Sequence, residues 1–139
     1  MTGVQTCALP IYQFGVTLDF NTEILPLMGS KEGIMHISLA FLNEGDEVLI
    51  PNPGYPTYAS VTELVQAKAI SYDLKEANHW QPNFEQLEQQ DLSKVKLMWV
   101  SYPHMPTGAK PTSVLLLTNL AVPIVQNWVA NGWLLLSHN

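Results

Sequence analysis

Helical and extended periodicities alternate along residues 33–102, and that alternation restricts the fold more than any other feature of the chain. Over 33–43, Ile34, Ile37 and Phe41 recur at helical spacing while Met35, Leu39 and Leu42 fill a neighbouring stripe, which predicts a helix. Asn43-Glu44-Gly45-Asp46 supplies the stop and the turn. Residues 47–50 read as a short apolar strand, ended by Pro51 and Pro53. A helix over 58–67, a strand over 69–74, a surface helix over 83–92 and a long buried strand over 95–102 follow, the last closed by Pro103. Such an order predicts an α/β fold, a mostly parallel sheet with flanking helices. Ligands of such sheets sit in the loops beyond the carboxyl ends of the strands.

The chain has 139 residues, the size of one domain, with six basic residues against twelve acidic ones. All six basic residues are lysines, and the formal charge is −6. A nucleic-acid reader needs basic side chains to displace counterions, so no nucleic-acid partner is expected. Cys7 is the single cysteine, which rules out an internal disulfide framework. The four histidines, His36, His79, His104 and His138, include no pair at the spacing of a metal motif, so no metal centre is expected. His36 and His79 read as structural or exposed; His104, in a loop after a strand, is the one expected near a ligand.

Both ends differ from the middle. Residues 1–11 carry no charge and lack the basic start and longer apolar run of a secretory signal. Residues 2–11 resemble the conceptual translation of a sequencing-library adapter, and residues 1–11 are set aside as an artefactual leader, Cys7 with them. Residues 111–139 are also uncharged. Their apolar run approaches the roughly 20 residues of a membrane span. Asn119, Gln126, Asn127 and Asn131 interrupt it, and Pro123 sits in its middle. A buried helix followed by a buried strand over 133–137 is the expectation, with no membrane partner and a cytoplasmic location.

Three loops hold the unusual residues. Met28-Gly29-Ser30-Lys31-Glu32-Gly33 precedes a helix, where free backbone amides and the positive end of the macrodipole make a seat for phosphate. A helix that merely starts on a serine cap would account for the same residues. In Pro51-Asn52-Pro53-Gly54-Tyr55-Pro56-Thr57-Tyr58, three prolines stiffen the backbone around a glycine turn and hold Tyr55 at a strand end. Tyr55 can stack on a flat heterocycle there, or wedge the loop against the core. The third loop is Tyr102-Pro103-His104-Met105-Pro106-Thr107-Gly108-Ala109, a buried strand running into Pro-x-x-Pro-Thr-Gly.

In order and spacing these loops resemble the class I/II aminotransferases, pyridoxal-phosphate enzymes of fold type I. The likeness runs over 12–112 and is strongest over 14–58; the stretches 25–34 and 43–51 are similar to the branch with diaminopimelate-type enzymes. The resemblance implies that Gly29, Ser30 and Lys31 hold the phosphate of pyridoxal 5'-phosphate and that Tyr55 stacks on its ring. It places Met105 where many members carry an asparagine that bonds the ring hydroxyl. A thioether cannot donate that bond, leaving His104 or Ser101 to replace it. It places Asn139 where an aspartate pairs with the pyridine nitrogen.

The resemblance also implies a lysine that binds the cofactor covalently and shuttles protons, and an arginine that clamps the substrate carboxylate. None of Lys31, Lys68, Lys75, Lys94, Lys96 and Lys110 lies in the matching context, and the chain has no arginine. No catalytic residue is therefore assigned. Residues 12–139 are expected to be an incomplete large domain, inactive alone, whose parent enzyme moves an amino group between an amino acid and a 2-keto acid as a homodimer. A lyase on the same scaffold and a non-catalytic, effector-binding relative remain the alternatives.

Overall fold

The computed structural model describes residues 27–110. Seven elements follow in order: α1 (Ser30–Phe41), β1 (Glu47–Asn52), α2 (Pro56–Leu64), β2 (Lys68–Asp73), a 3-10 turn (Glu76–Asn78), α3 (Phe84–Glu88) and β3 (Val95–Met98). The strands form one parallel sheet in the order β2-β1-β3. The expected α/β architecture is therefore present, with helices on both faces.

Strand alternation builds that arrangement. Val48 and Leu49 sit side by side in the central strand, both fully buried, and point to opposite faces. Val48 packs with Ile34, Leu42, Tyr58, Val61 and Trp99 beneath α1 and α2. Leu49 packs with Tyr72, Leu74, Leu87 and Val95 on the face that α3 covers. Each such burial stabilises by about 1.5–3 kcal/mol. The α2 connection from β1 to β2 lies on one face, and the α3 connection from β2 over β1 to β3 lies on the other.

The element boundaries differ from the expectations in instructive ways. α1 begins at Ser30, three residues early; its N-cap is Gly29, with no side-chain cap, so the serine cap is not formed. The Glu32 carboxylate accepts from the Met28 N–H at 2.7 Å instead. The predicted turn is intact: Gly45 takes φ 85, and the Asp46 carboxylate accepts from the Asn43 N–H at 2.8 Å. β1 runs past Pro51 to Asn52 because those residues still pair with β2, in register with Tyr72 and Asp73. α2 starts at Pro56, since proline is pre-set for the first turn. α3 spans only Phe84–Glu88 rather than 83–92, capped by Asn83, whose side chain accepts from the Gln86 N–H.

β3 is shorter than the expected 95–102. Trp99 still donates to the Leu49 carbonyl at 2.9 Å. The next rung of a parallel ladder would run from the amide of residue 51 to the Trp99 carbonyl, and Pro51 has no N–H. The buried Tyr72 hydroxyl donates to that carbonyl instead, at 2.7 Å. The chain then leaves the sheet, with cis peptide bonds before Pro103 and Pro106 as well as before Pro53. The leader, Asn139 and the helix and strand expected in the tail lie outside the described residues.

Candidate functional site

All three loops occupy the carboxyl-terminal edge of the sheet or the start of α1. α-Helix geometry leaves the first amides of α1, at Ser30, Lys31 and Glu32, without intrahelical acceptors. Gly29 presents no side chain, and a Cβ there would meet nothing. The amide corner is thus open, and the Ser30 hydroxyl stands beside it on the first helical residue.

Tyr55 is the N-cap of α2, in extended backbone between Gly54 and Pro56. A Cβ at Gly54 would run into the Pro51 carbonyl, so only glycine allows this tight return from β1. The Lys31 ammonium lies over the Tyr55 ring, 6.0 Å from its centroid, so a side chain from the first turn of α1 reaches the aromatic. A Thr57 hydrogen bond holds the Tyr55 phenol below its ordinary pKa, and the Lys31 charge acts in the same direction.

The third loop joins through buried contacts. His104 is 1% exposed, with Nδ1 2.7 Å from the Thr107 hydroxyl. Its Nε2 has no hydrogen-bond partner of good geometry, although the Pro53 carbonyl is close enough to favour the protonated ring. Burial outweighs that contact and lowers the His104 pKa. Burial raises the Tyr58 phenol above its ordinary pKa, and the nearby Ser101 hydroxyl works against that shift. Tyr102 donates to the Trp80 carbonyl at 2.6 Å, and burial pushes its pKa to about 12. Met105 is 44% exposed.

Two members of this corner went unnoticed in the sequence, Tyr58 and Trp99. Their rings stack at 5.1 Å with planes 8° apart, and Tyr58 meets Tyr55 edge-on at 5.8 Å and 83°. The three-residue step from Tyr55 to Tyr58 was the available signal, because residues three apart adjoin on a helix. Among the described residues no cluster of three His, Cys, Asp or Glu side chains could hold a metal, and no helix is long and apolar enough to cross a membrane. A polar hollow of about 100 Å³ between β2 and α3, lined by Asp73, Asn83, Gln86 and Gln90 among others, includes no residue of the three loops.

An open helix N-terminus, a half-buried aromatic and a strand-end loop are thus the features that the sequence singled out. The model of the family "Aminotransferase class I and II" matches residues 10–136, and the chain belongs to that family. It is 48% identical over 97 residues to the LL-diaminopimelate aminotransferase of Dehalococcoides mccartyi, which covers 70% of this chain and 25% of that enzyme. Apo-BacF of Bacillus subtilis superposes with a TM-score of 0.80 at 34% identity, over 86% of this chain and 32% of the other. The N-succinyldiaminopimelate aminotransferase of Mycobacterium tuberculosis gives 0.80 at 25% identity, over 90% and 33%. The chain spans about a quarter of the length of the curated relatives it matches. Class I and II aminotransferases are pyridoxal-phosphate enzymes of amino-acid metabolism, and the parallel sheet with flanking helices is their fold.

Proposed function

We propose that residues 12–139 form part of the large domain of an aminotransferase, holding one side of the cofactor cradle. Gly29, Ser30 and Lys31 would take the phosphate of pyridoxal 5'-phosphate, through open amides, a hydroxyl and an ammonium. Tyr55 would lie against the pyridine ring. The cofactor, when bound, supplies the electron sink that lets an amino group leave an α-carbon. This chain's own residues bind and orient it.

The observation that carries the reading is that the Lys31 ammonium, from the first turn of α1, reaches to 6.0 Å from the Tyr55 ring centroid. The fit is partial. Met105 cannot donate a hydrogen bond, Ser101 lies beside Tyr58, and His104 bonds Thr107 from a buried position. Among the described residues these three side chains present no exposed donor for the ring hydroxyl, since the one unpartnered nitrogen, His104 Nε2, is buried. Asn139, outside the described residues, would face the pyridine nitrogen. The complete enzyme would exchange an amino group between an amino acid and a 2-keto acid, as a cytoplasmic homodimer.

Titration with pyridoxine 5'-phosphate tests this, because that compound has the ring and phosphate but no aldehyde to react with lysines. Saturable binding, weakened about fivefold in Tyr55→Ala and strongly in Ser30→Glu, is expected. Unaltered binding in both variants would refute the cradle.

A further inference from the structure

The prolines and glycine around Tyr55 fix its backbone, but they do not fix its side chain. The ring is only half-buried. Something else must hold it if it is to present one face to a ligand.

We propose that Tyr58 is the positioning residue for Tyr55: clamped to Trp99 at the end of β3, it sets the orientation in which the Tyr55 ring meets a planar ligand. The inference rests on the reading of Tyr55 as the platform for the cofactor ring. Tyr58 is 4% exposed. One face stacks on Trp99, 5.1 Å away and nearly coplanar in orientation. Its hydroxyl lies near Ser101, just beyond β3. Trp99 is itself tied to the central strand through the Leu49 carbonyl, and to β2 through Tyr72.

Against this fixed ring Tyr55 sits edge-on, at 5.8 Å and 83°. That is the arrangement the aromatic quadrupoles favour. A perpendicular partner covers at most one face of Tyr55, and the Lys31 ammonium, 6.0 Å over the ring, sits on a flexible side chain that a stacking ligand would displace. Tyr58 itself need not touch the ligand. A continuous path of packed rings, Trp99 to Tyr58 to Tyr55, thereby joins the sheet to the exposed platform.

The test uses the 139-residue chain with two probes, pyridoxine 5'-phosphate and methyl phosphate. Tyr58→Leu, which keeps an apolar side chain but no ring, should weaken pyridoxine 5'-phosphate about fivefold and leave methyl phosphate within twofold. Tyr58→Phe, which keeps the ring and loses only the hydroxyl, should restore ring binding to within about twofold. Ring-proton resonances of Tyr55 should move in Tyr58→Leu and stay in Tyr58→Phe. Should leucine prevent folding, Tyr58→Met is read by the same criteria.

Full affinity for pyridoxine 5'-phosphate in folded Tyr58→Leu or Tyr58→Met, with Tyr55→Ala still weakened, overturns this proposal and leaves the cradle standing. An equal loss for both probes also overturns it, since that marks a general structural defect. Affinity unaffected by Tyr55→Ala overturns the reading of Tyr55 as platform and this inference with it; unaltered binding in Ser30→Glu as well overturns the whole cradle.

Discussion

Tyr72 serves two neighbours at once. Its ring belongs to the apolar cluster under α3, and its hydroxyl fills the ladder position that Pro51 leaves empty at the Trp99 carbonyl. Removing the hydroxyl alone leaves a buried acceptor unsatisfied, which costs about 1–3 kcal/mol. Tyr72→Phe should therefore lower the urea midpoint by that equivalent with an unchanged slope. His104 gives a pH signature at the same scale. Burial lowers its folded pKa below the ordinary value near 6.5, so the unfolded chain binds the proton first. This contribution to stability is complete above about pH 6.5 and is lost as pH falls through the lower folded pKa. Thermal midpoints should drop from about pH 7.5 to about pH 5.5 by more in wild type than in His104→Asn, and equal drops would contradict the assignment. Gly54 offers a third case. Gly54→Ala should destabilise, because the new methyl meets the Pro51 carbonyl, which is backbone and cannot swing aside.

At the scale of elements, β1 carries the fold because both its faces are covered. Leu49→Ala should cost about 2–5 kcal/mol, the cavity penalty for a core leucine. Leu64→Ala, at the exposed end of α2, should stay within about 0.5 kcal/mol in the same denaturation experiment. Every α-helix and strand in the described region was legible from period and punctuation, yet the ends moved, and the 3-10 turn over Glu76–Asn78 was not foreseen. Pro56 and Pro51 explain two of those shifts: the first begins a helix, and the second is tolerated because β3 stops pairing beside it. α3 ended early although its pattern continued to Leu92, for Gln90 already closes a turn onto the Leu87 carbonyl. Single-strand reading could not foresee where β3 would end, since that depends on a missing amide on the neighbouring strand.

For the whole molecule, the prediction concerns what the chain cannot do alone. Given pyridoxal 5'-phosphate, an amino acid and a keto acid, these 139 residues should transfer no amino group, because no lysine stands in the context of the covalent anchor and no arginine can clamp a substrate carboxylate. Measurable keto-acid formation would refute this.

Local chemistry alone determined a good part of the protein. Periodicity set the helix and strand order, proline and glycine set the turns, and three loop motifs named the family, since each of these depends only on near neighbours along the chain. Tertiary structure decided the rest. Residues 31, 55 and 58 meet near 99 and 101 only after a parallel sheet has brought the ends of β1 and β3 together. The burial of His104, beside the Pro53 carbonyl, and the setting of Ser101, beside Tyr58, depend on neighbours some fifty residues away. Spacing along a chain carries no information on such contacts, because packing rather than sequence distance chooses the partner.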